Sequence, residues 1–323
     1  MDRRLFIAGA LPLAGSLLAG CNRSPAKTTA AATPAAAPAA LQLTPDQARR
    51  MGMTTVCFRH NFNPPIGDAA ATGPKLDMLS APKFMKDTFG LSNVEVWSMQ
   101  FPDQSLDFCK KLRGAAEAIG SRISNIQLDG DYDLSSPDPK RRADSIALVK
   151  GWMDRAVAVG APTMRANVDA GTAGLPLVVG PAAQSFTTLA EYAKRIGTKI
   201  LIENHIGASA KVDNCVTLLK AINHPNCRAI IDWGNSDAPS PEGRLADLSK
   251  LFPFVELVSA KGLHFNPDYS HKDYPIAPLV QATEASGYKG IYSVELYAEP
   301  DAPADPVAAC RSMIAAIAPE LKT

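Results

Sequence analysis

Lys199-Ile200-Leu201-Ile202-Glu203-Asn204-His205 and Ala229-Ile230-Ile231-Asp232-Trp233-Gly234-Asn235 are two apolar runs that each stop abruptly on a carboxylate. One helix-length segment, residues 212–222, lies between them. Continuous Ile/Leu/Val runs mark parallel strands covered by helices on both faces, where neither side of the strand meets water. A strand, a helix and a second strand in so little chain form a right-handed crossover. Glu203 and Asp232 then fall at the C-terminal ends of neighbouring strands, the end at which α/β barrels carry their chemistry. One such residue reads as a cap; two in register point to a site.

Similar runs recur along the chain. Strands are predicted near 53–58, 93–97, 123–128, 162–166, 199–202, 228–231, 254–259 and 291–294. Helical patterns separate most of them, at 107–119, 139–159, 186–196, 212–222, 242–251 and 276–285, and a last helix spans 306–317. Ahead of them Thr44 reads as an N-cap, Pro45 as the first helical residue and Gln47 as the capping-box partner. Gly120, Gly160, Gly197 and Gly287 stand where left-handed helix caps belong. Strands alternating with helices over about 270 residues predict an α/β protein with one domain, a (β/α)8 TIM barrel. A doubly wound open sheet is the alternative. No Gly-x-Gly-x-x-Gly run or phosphate loop follows a strand, which argues against nucleotide binding.

Charge excludes another class. Lys and Arg number 33 against 32 Asp and Glu, so no basic face is available for nucleic acid. The N-terminus carries an address instead. Asp2-Arg3-Arg4-Leu5-Phe6-Ile7 resembles a twin-arginine export signal. The apolar stretch from Leu5 to Leu18 is too short for a membrane span. Leu18-Ala19-Gly20-Cys21 resembles a bacterial lipoprotein cleavage box, which implies cleavage before Cys21 and lipidation of its side chain. Residues 1–20 are therefore expected to be a signal peptide. Residues 21–41, rich in Ala and Pro, are expected to be a disordered tether, and 42–323 the barrel. The expected location is periplasmic, with a membrane contact only through the lipid on Cys21. Cys57, Cys109, Cys215, Cys227 and Cys310 are odd in number and widely spaced, so they suggest neither a zinc site nor a disulfide framework. They read as small core residues.

The strand ends supply the chemistry. Glu203 and Asp232 are joined by Ser259-Ala260-Lys261, with His264 shortly after, and by Glu295 in Ser293-Val294-Glu295-Leu296-Tyr297. Earlier strands offer His60, Glu95, Gln127, Asp129 and Arg165. Three carboxylates at one mouth repel each other unless paired. A divalent cation would resolve that conflict and act as a Lewis acid.

Ile202-Glu203-Asn204-His205, Ile231-Asp232-Trp233-Gly234-Asn235, Val258-Ser259-Ala260-Lys261 and Gly290-Ile291-Tyr292-Ser293-Val294-Glu295 resemble motifs of the xylose isomerase-like barrel family, the sugar phosphate isomerase/epimerase superfamily. The similarity covers the barrel and is most specific from the fifth strand onward. It implies a divalent metal held by carboxylates from strands five, six and eight, here Glu203, Asp232 and Glu295. The metal would be a mostly oxygen-ligated Mn2+ or Mg2+, or Zn2+ if His205 or His264 joins.

The resemblance implies isomerisation or epimerisation of a small sugar by proton abstraction next to a carbonyl, and the expected location outside the cytoplasm, where phosphorylated sugars are scarce, makes it an unphosphorylated one. Glu203 and Glu295 would carry protons on opposite sides of the substrate. Lys261 would hold the developing oxyanion or, alternatively, form a salt bridge to these carboxylates. Arg165 would bind substrate or pair with Glu203. His205, Asn235, His60 and Trp233 complete the expected substrate contacts, with Trp97 and Trp233 stacking on sugar or simply packing. Two positions depart from the pattern. Ser259 stands two residues before the lysine, where a histidine ligand is usual. Asn235 stands three after the aspartate, where the ketose 3-epimerase and endonuclease branches carry histidine. Two alternatives use the same features: a lyase or hydrolase of an oxidised (keto) glycoside, and a non-catalytic carbohydrate-binding lipoprotein.

Overall fold

In the computed structural model, residues 42–67, 73–169, 176–297, 303 and 305–322 are described. The expected signal peptide, the Cys21 anchor and the tether lie outside them. Thr44 caps α1 (Pro45–Arg50) with the expected box: its hydroxyl accepts from Gln47 N, and Gln47 Oε1 accepts from Thr44 N. The helix delivers the chain into β1 (Met51–Thr54). The remaining strands are β2 (Asn93–Trp97), β3 (Arg122–Leu128), β4 (Thr163–Ala166), β5 (Lys199–Glu203), β6 (Cys227–Asp232), β7 (Val255–Gly262) and β8 (Ile291–Leu296). They pair in chain order, all parallel, and β8 closes on β1. The sheet is a closed barrel and not the doubly wound alternative.

Helices α2 (Ala81–Phe89), α3 (Leu106–Glu117), α4 (Pro139–Val159), α5 (Val179–Ile196), α6 (Val212–Ile222), α7 (Pro241–Ser249), α8 (Ile276–Ala285) and α9 (Pro306–Ile317) cover the outside. Caps explain their bounds. Asp138 caps α4 through Lys140 N, with Pro139 in the first turn, and Gly160 ends it with φ +79°. Gly120, Gly197 and Gly287 also take the left-handed conformation, which Cβ-bearing residues avoid.

Period-two alternation decides what faces inward. Ile200, Ile202 and Ile231 point to the helices and belong to the main apolar core, with Phe186, Leu189, Leu218 and Met313. Leu201, Ile230 and Leu257 point inward and form a separate small apolar cluster inside the barrel. Each lies two residues before a polar side chain of the mouth: Glu203, Asp232 and Ser259. The five cysteines from Cys57 onward are buried and form no disulfide, as small core residues should be.

Three expectations on elements need correction. The first strand is Met51–Thr54, not 53–58, because the Thr54 hydroxyl accepts from Val56 N and turns the chain into a 3-10 segment, Thr55–Asn61. Helix α5 begins at Val179 and not at 186, since Pro181 in its first turn gives up an N–H that has no helical acceptor there. Helix α2 was not foreseen. Its signals were Pro82 in the first turn, Gly90 at φ +73° after the last, and an apolar face of Ala81, Met85 and Phe89.

Candidate active site

Register assembles the mouth. Asp232 pairs with Ser259, Ser259 with Ser293, and Lys261 with Glu295. Partners in parallel strands project to the same face, so these side chains meet inside the barrel at the C-terminal end. Asn204 locks the ends of β5 and β6: its side chain donates to Asp232 O (2.8 Å) and accepts from Asp232 N (2.9 Å).

Lys261 is the hub. Its Nζ donates to Asp232 Oδ2 (3.2 Å) and Asn235 Oδ1 (3.2 Å) and lies 2.9 Å from Glu295 Oε1. The other oxygens are also engaged. Asp232 Oδ1 accepts from Gly234 N (2.7 Å) and Asn235 N (3.0 Å). Glu295 Oε2 accepts from Gln127 Nε2 (2.8 Å), and the Ser259 hydroxyl lies between Glu295 Oε2 (3.3 Å) and Asp232 Oδ2 (3.1 Å). Burial works against the Lys261 ammonium, but Asp232 and Glu295 hold it charged. Burial likewise opposes ionisation of Glu295, and Lys261 and Gln127 overcome it and keep this carboxyl below its usual range. The salt-bridge reading of Lys261 is thus realised, and the residue still lines the cavity.

A second network grows from β4. Arg165 Nη1 donates to Leu128 O (2.9 Å) and Asp129 Oδ1 (2.5 Å), and its Nε lies 2.8 Å from Glu203 Oε2. That last approach is an ion pair out of line for a hydrogen bond, so neither atom has an aligned partner. Asp129 also accepts from Trp97 Nε1 (2.7 Å) and Asn167 Nδ2 (3.0 Å). Burial would raise the Asp129 carboxyl, but Arg165 above all brings it down to about 2. Glu203 goes the other way. Burial, then the charges of Asp232 and Glu295, hold it well above the usual carboxylate range despite Arg165.

The two networks wall a cavity of about 440 Å³, lined by Trp97, Gln127, Asp129, Arg165, Asn167, Asp169, His205, Asn235, Lys261, Glu295 and Tyr297 among others. Burial, then Arg165 and Lys261, push His205 down to about 3, so its ring is neutral at pH 7. Its Nδ1 is buried without a hydrogen-bond partner, as is Asn235 Nδ2.

The structure brings Arg165, His205, Asn235, Lys261 and Glu295 to this cavity and leaves other expected residues out. Glu203 and Asp232 are fully buried and do not line it. Trp233 packs against Tyr292, ring centroids 6.0 Å apart, so it is a wall residue and not a sugar platform. His60 lies on the 3-10 segment after β1 and does not line the cavity. His264 pairs with Asp273 in the loop after β7. Asn167 and Asp169 were missed, although they continue the alternation that begins at Arg165 and so share its face.

Glu95 sits below the mouth, its Oε1 accepting from Asn125 Nδ2 (2.6 Å), and burial pushes it up to about 7 from the usual 4.5. A folded-state value above the unfolded one means that the folded barrel holds this proton more tightly. Its stabilising effect is full below about pH 4.5 and lost as pH rises through about 7, by about 3 kcal/mol. Glu95→Gln should therefore gain stability relative to the parent between pH 5 and pH 8. Paired denaturation curves at the two pH values check this; a pH-independent difference would contradict it.

The donor set does not fit the divalent metal expected at Glu203, Asp232 and Glu295. All four oxygens of Asp232 and Glu295 already meet donors, Glu203 is turned to Arg165, and Ser259 stands where a nitrogen ligand would. Among the described residues no group of three His, Cys, Asp or Glu is placed to hold a metal ion.

The sequence matches the family described as xylose isomerase-like TIM barrel over residues 85–316. No curated protein matches it. Among solved structures it is similar to D-psicose 3-epimerase with D-tagatose from Clostridium cellulolyticum H10, at 14% identity and TM-score 0.63, covering 84% of this chain and 98% of that one. It is similar to 3-keto-D-glucoside 4-epimerase from E. coli, at 14% identity and TM-score 0.56, covering 82% and 97%. A xylose isomerase-like TIM barrel protein from Mycobacterium smegmatis, in complex with magnesium, matches at 17% identity and TM-score 0.59, covering 86% and 99%. At these identities the likeness shows the fold.

Proposed function

The chain belongs to the xylose isomerase-like TIM barrel family, and we propose that its mouth takes up a small sugar or sugar derivative and isomerises or epimerises it by moving a proton next to the carbonyl. The observation that carries this reading is Glu295, an ionised carboxylate on the cavity wall beside the Lys261 ammonium. Glu295 takes the proton from the carbon next to the carbonyl. Lys261 faces the oxygen on which charge gathers, and Arg165 adds a second fixed cation to the wall. Both are already paired with carboxylates, so they need no reorganisation as the enediolate forms. His205 Nδ1 and Asn235 Nδ2 are unclaimed and suit sugar hydroxyls.

Glu203 leaves the proton relay of the sequence-based expectation. It acts from beneath the cavity, holding Arg165 in place. One base that takes and returns the proton on the same face gives a 1,2-isomerisation. Epimerisation needs a second carrier on the opposite face, and neutral His205 is the cavity residue suited to relay it.

The cavity volume falls in the range of small-molecule pockets, ~300–1,000 Å³. Incubation with a panel of aldoses, ketoses and keto-glycosides, followed by NMR, should show an isomer or epimer of one of them. Cleavage products would favour the lyase or hydrolase instead, and tight binding without conversion the binding protein.

The Arg3-Arg4 pair and Cys21 support export to the periplasm and a lipid anchor. Mass spectrometry of the mature N-terminus should find a lipidated Cys21, and an unmodified one would remove the anchor.

A further inference from the structure

We propose that the Lys261 ammonium is a built-in substitute for a divalent cation, so that the mouth balances its own carboxylates and takes up no divalent metal. The role in turnover rests on the function proposed above; the exclusion of metal does not. Lys261 Nζ stands 3.2 Å from Asp232 Oδ2, 2.9 Å from Glu295 Oε1 and 3.2 Å from Asn235 Oδ1. Those are the oxygens that a metal bridging β6 and β8 would have to claim, at about 2.1 Å for Mg2+. An ion so placed would lie against a buried positive charge. It would also have to strip donors from both carboxylates, since Asp232 Oδ1 and Glu295 Oε2 are held by Gly234, Asn235, Gln127 and Ser259.

Two positions of the chain are built to this arrangement. A Cβ at Gly234 would fall 2.7 Å from Lys261 Cδ and 2.9 Å from its Cγ. The glycine therefore keeps open the path along which the lysine stem reaches Asp232. Ser259 is the second. Its hydroxyl lies within reach of both carboxylates, so this position adds a weak neutral donor to the lysine's ring of oxygens and supplies no nitrogen lone pair. Glu203, the third carboxylate, is matched separately by Arg165 at 2.8 Å. Lys261 is shared by Asp232 and Glu295, and Arg165 by Asp129 and Glu203, so every carboxylate of the mouth touches a cation from the chain itself.

The test is Mn2+ binding to the purified full chain after exhaustive chelation. Free Mn2+ is read by electron paramagnetic resonance and thermal stability is measured in parallel. The parent is expected to leave the free Mn2+ signal undiminished and to show no shift in Tm. Lys261→Met removes the ammonium, keeps most of the stem's volume and leaves Asp232 and Glu295 open, so it is expected to take up Mn2+ and melt higher with it. Ser259→His adds a nitrogen ligand but keeps the ammonium, and is expected to stay metal-free. Stoichiometric uptake by the parent overturns the inference whether or not either variant folds. So does a folded Lys261→Met variant that takes up none, or a Ser259→His variant that takes up as much as Lys261→Met. The titration uses no sugar. Uptake by a parent that still converts sugar sinks this inference alone, and a metal-free parent that converts none sinks the proposed function alone.

Discussion

Glu295→Gln should lower turnover by at least about 10²-fold, the low end for losing a general base, and leave the barrel folded. Gln keeps the length and volume of the side chain and loses only the charge and the basic oxygen. Lys261 keeps Asp232 and Asn235, so no buried cation is stranded. Turnover and melting temperature are measured side by side for variant and parent. A folded variant with near-parental turnover removes Glu295 from the chemistry, and with it the proton-transfer reading of the mouth.

Arg165→Met should cost stability first. The guanidinium is buried, at 3% side-chain exposure, and is held between Asp129 and Glu203. Removing one partner of a buried ionic network typically costs about 3–5 kcal/mol, because the charge left behind is uncompensated. The loss depends on pH in a defined direction. Asp129, held at about 2, contributes stability that is present above the unfolded value of about 3.9 and disappears as pH falls through about 2. The gap between parent and variant should therefore be widest near neutrality and narrow in acid. Denaturant unfolding at pH 7 and pH 3 reads it, and a gap that widens in acid would contradict the ionic account. Turnover should fall as well, since Asp129 loses the partner that fixes it on the cavity wall.

The extent to which the sequence disclosed this site follows from what alternation can and cannot encode. The strands ending on Glu203 and Asp232 were legible because a continuous apolar run that stops on a charge marks both a strand and its direction; Lys261 and Glu295 each lie one residue before the end of a less regular strand. Alternation also gave the face: all four side chains point into the barrel. It says nothing about depth along the barrel axis. Glu203 and Glu295 look equivalent in sequence, yet only Glu295 lines the cavity, where Arg165 and His205 also stand, and Glu203 is buried outside it. Trp233 failed for a related reason. It is adjacent to Asp232 and so projects to the other face, against Tyr292.

The metal expectation came from counting anions and from the family resemblance. Lys261 and Arg165 were legible too, each as a substrate contact or a salt-bridge partner of the carboxylates, and the structure realises both pairings; which carboxylate each long stem reaches has no local sequence trace. Helix α2 was hidden for a simpler reason. Its apolar face has only three or four residues, too few for a periodic signal, and its caps were easily read as loop residues.

Deuterium incorporation tests the central claim most directly. The parent is incubated in deuterated water with the sugar that it converts, and the recovered substrate and product are examined by NMR and mass spectrometry. Solvent deuterium should appear at the carbon next to the carbonyl. With Glu295→Gln it should appear at least about 10²-fold more slowly than with the parent. Conversion by the parent with no solvent deuterium at that carbon, and with no slowing when the sugar carries deuterium there from the start, would contradict proton abstraction by Glu295.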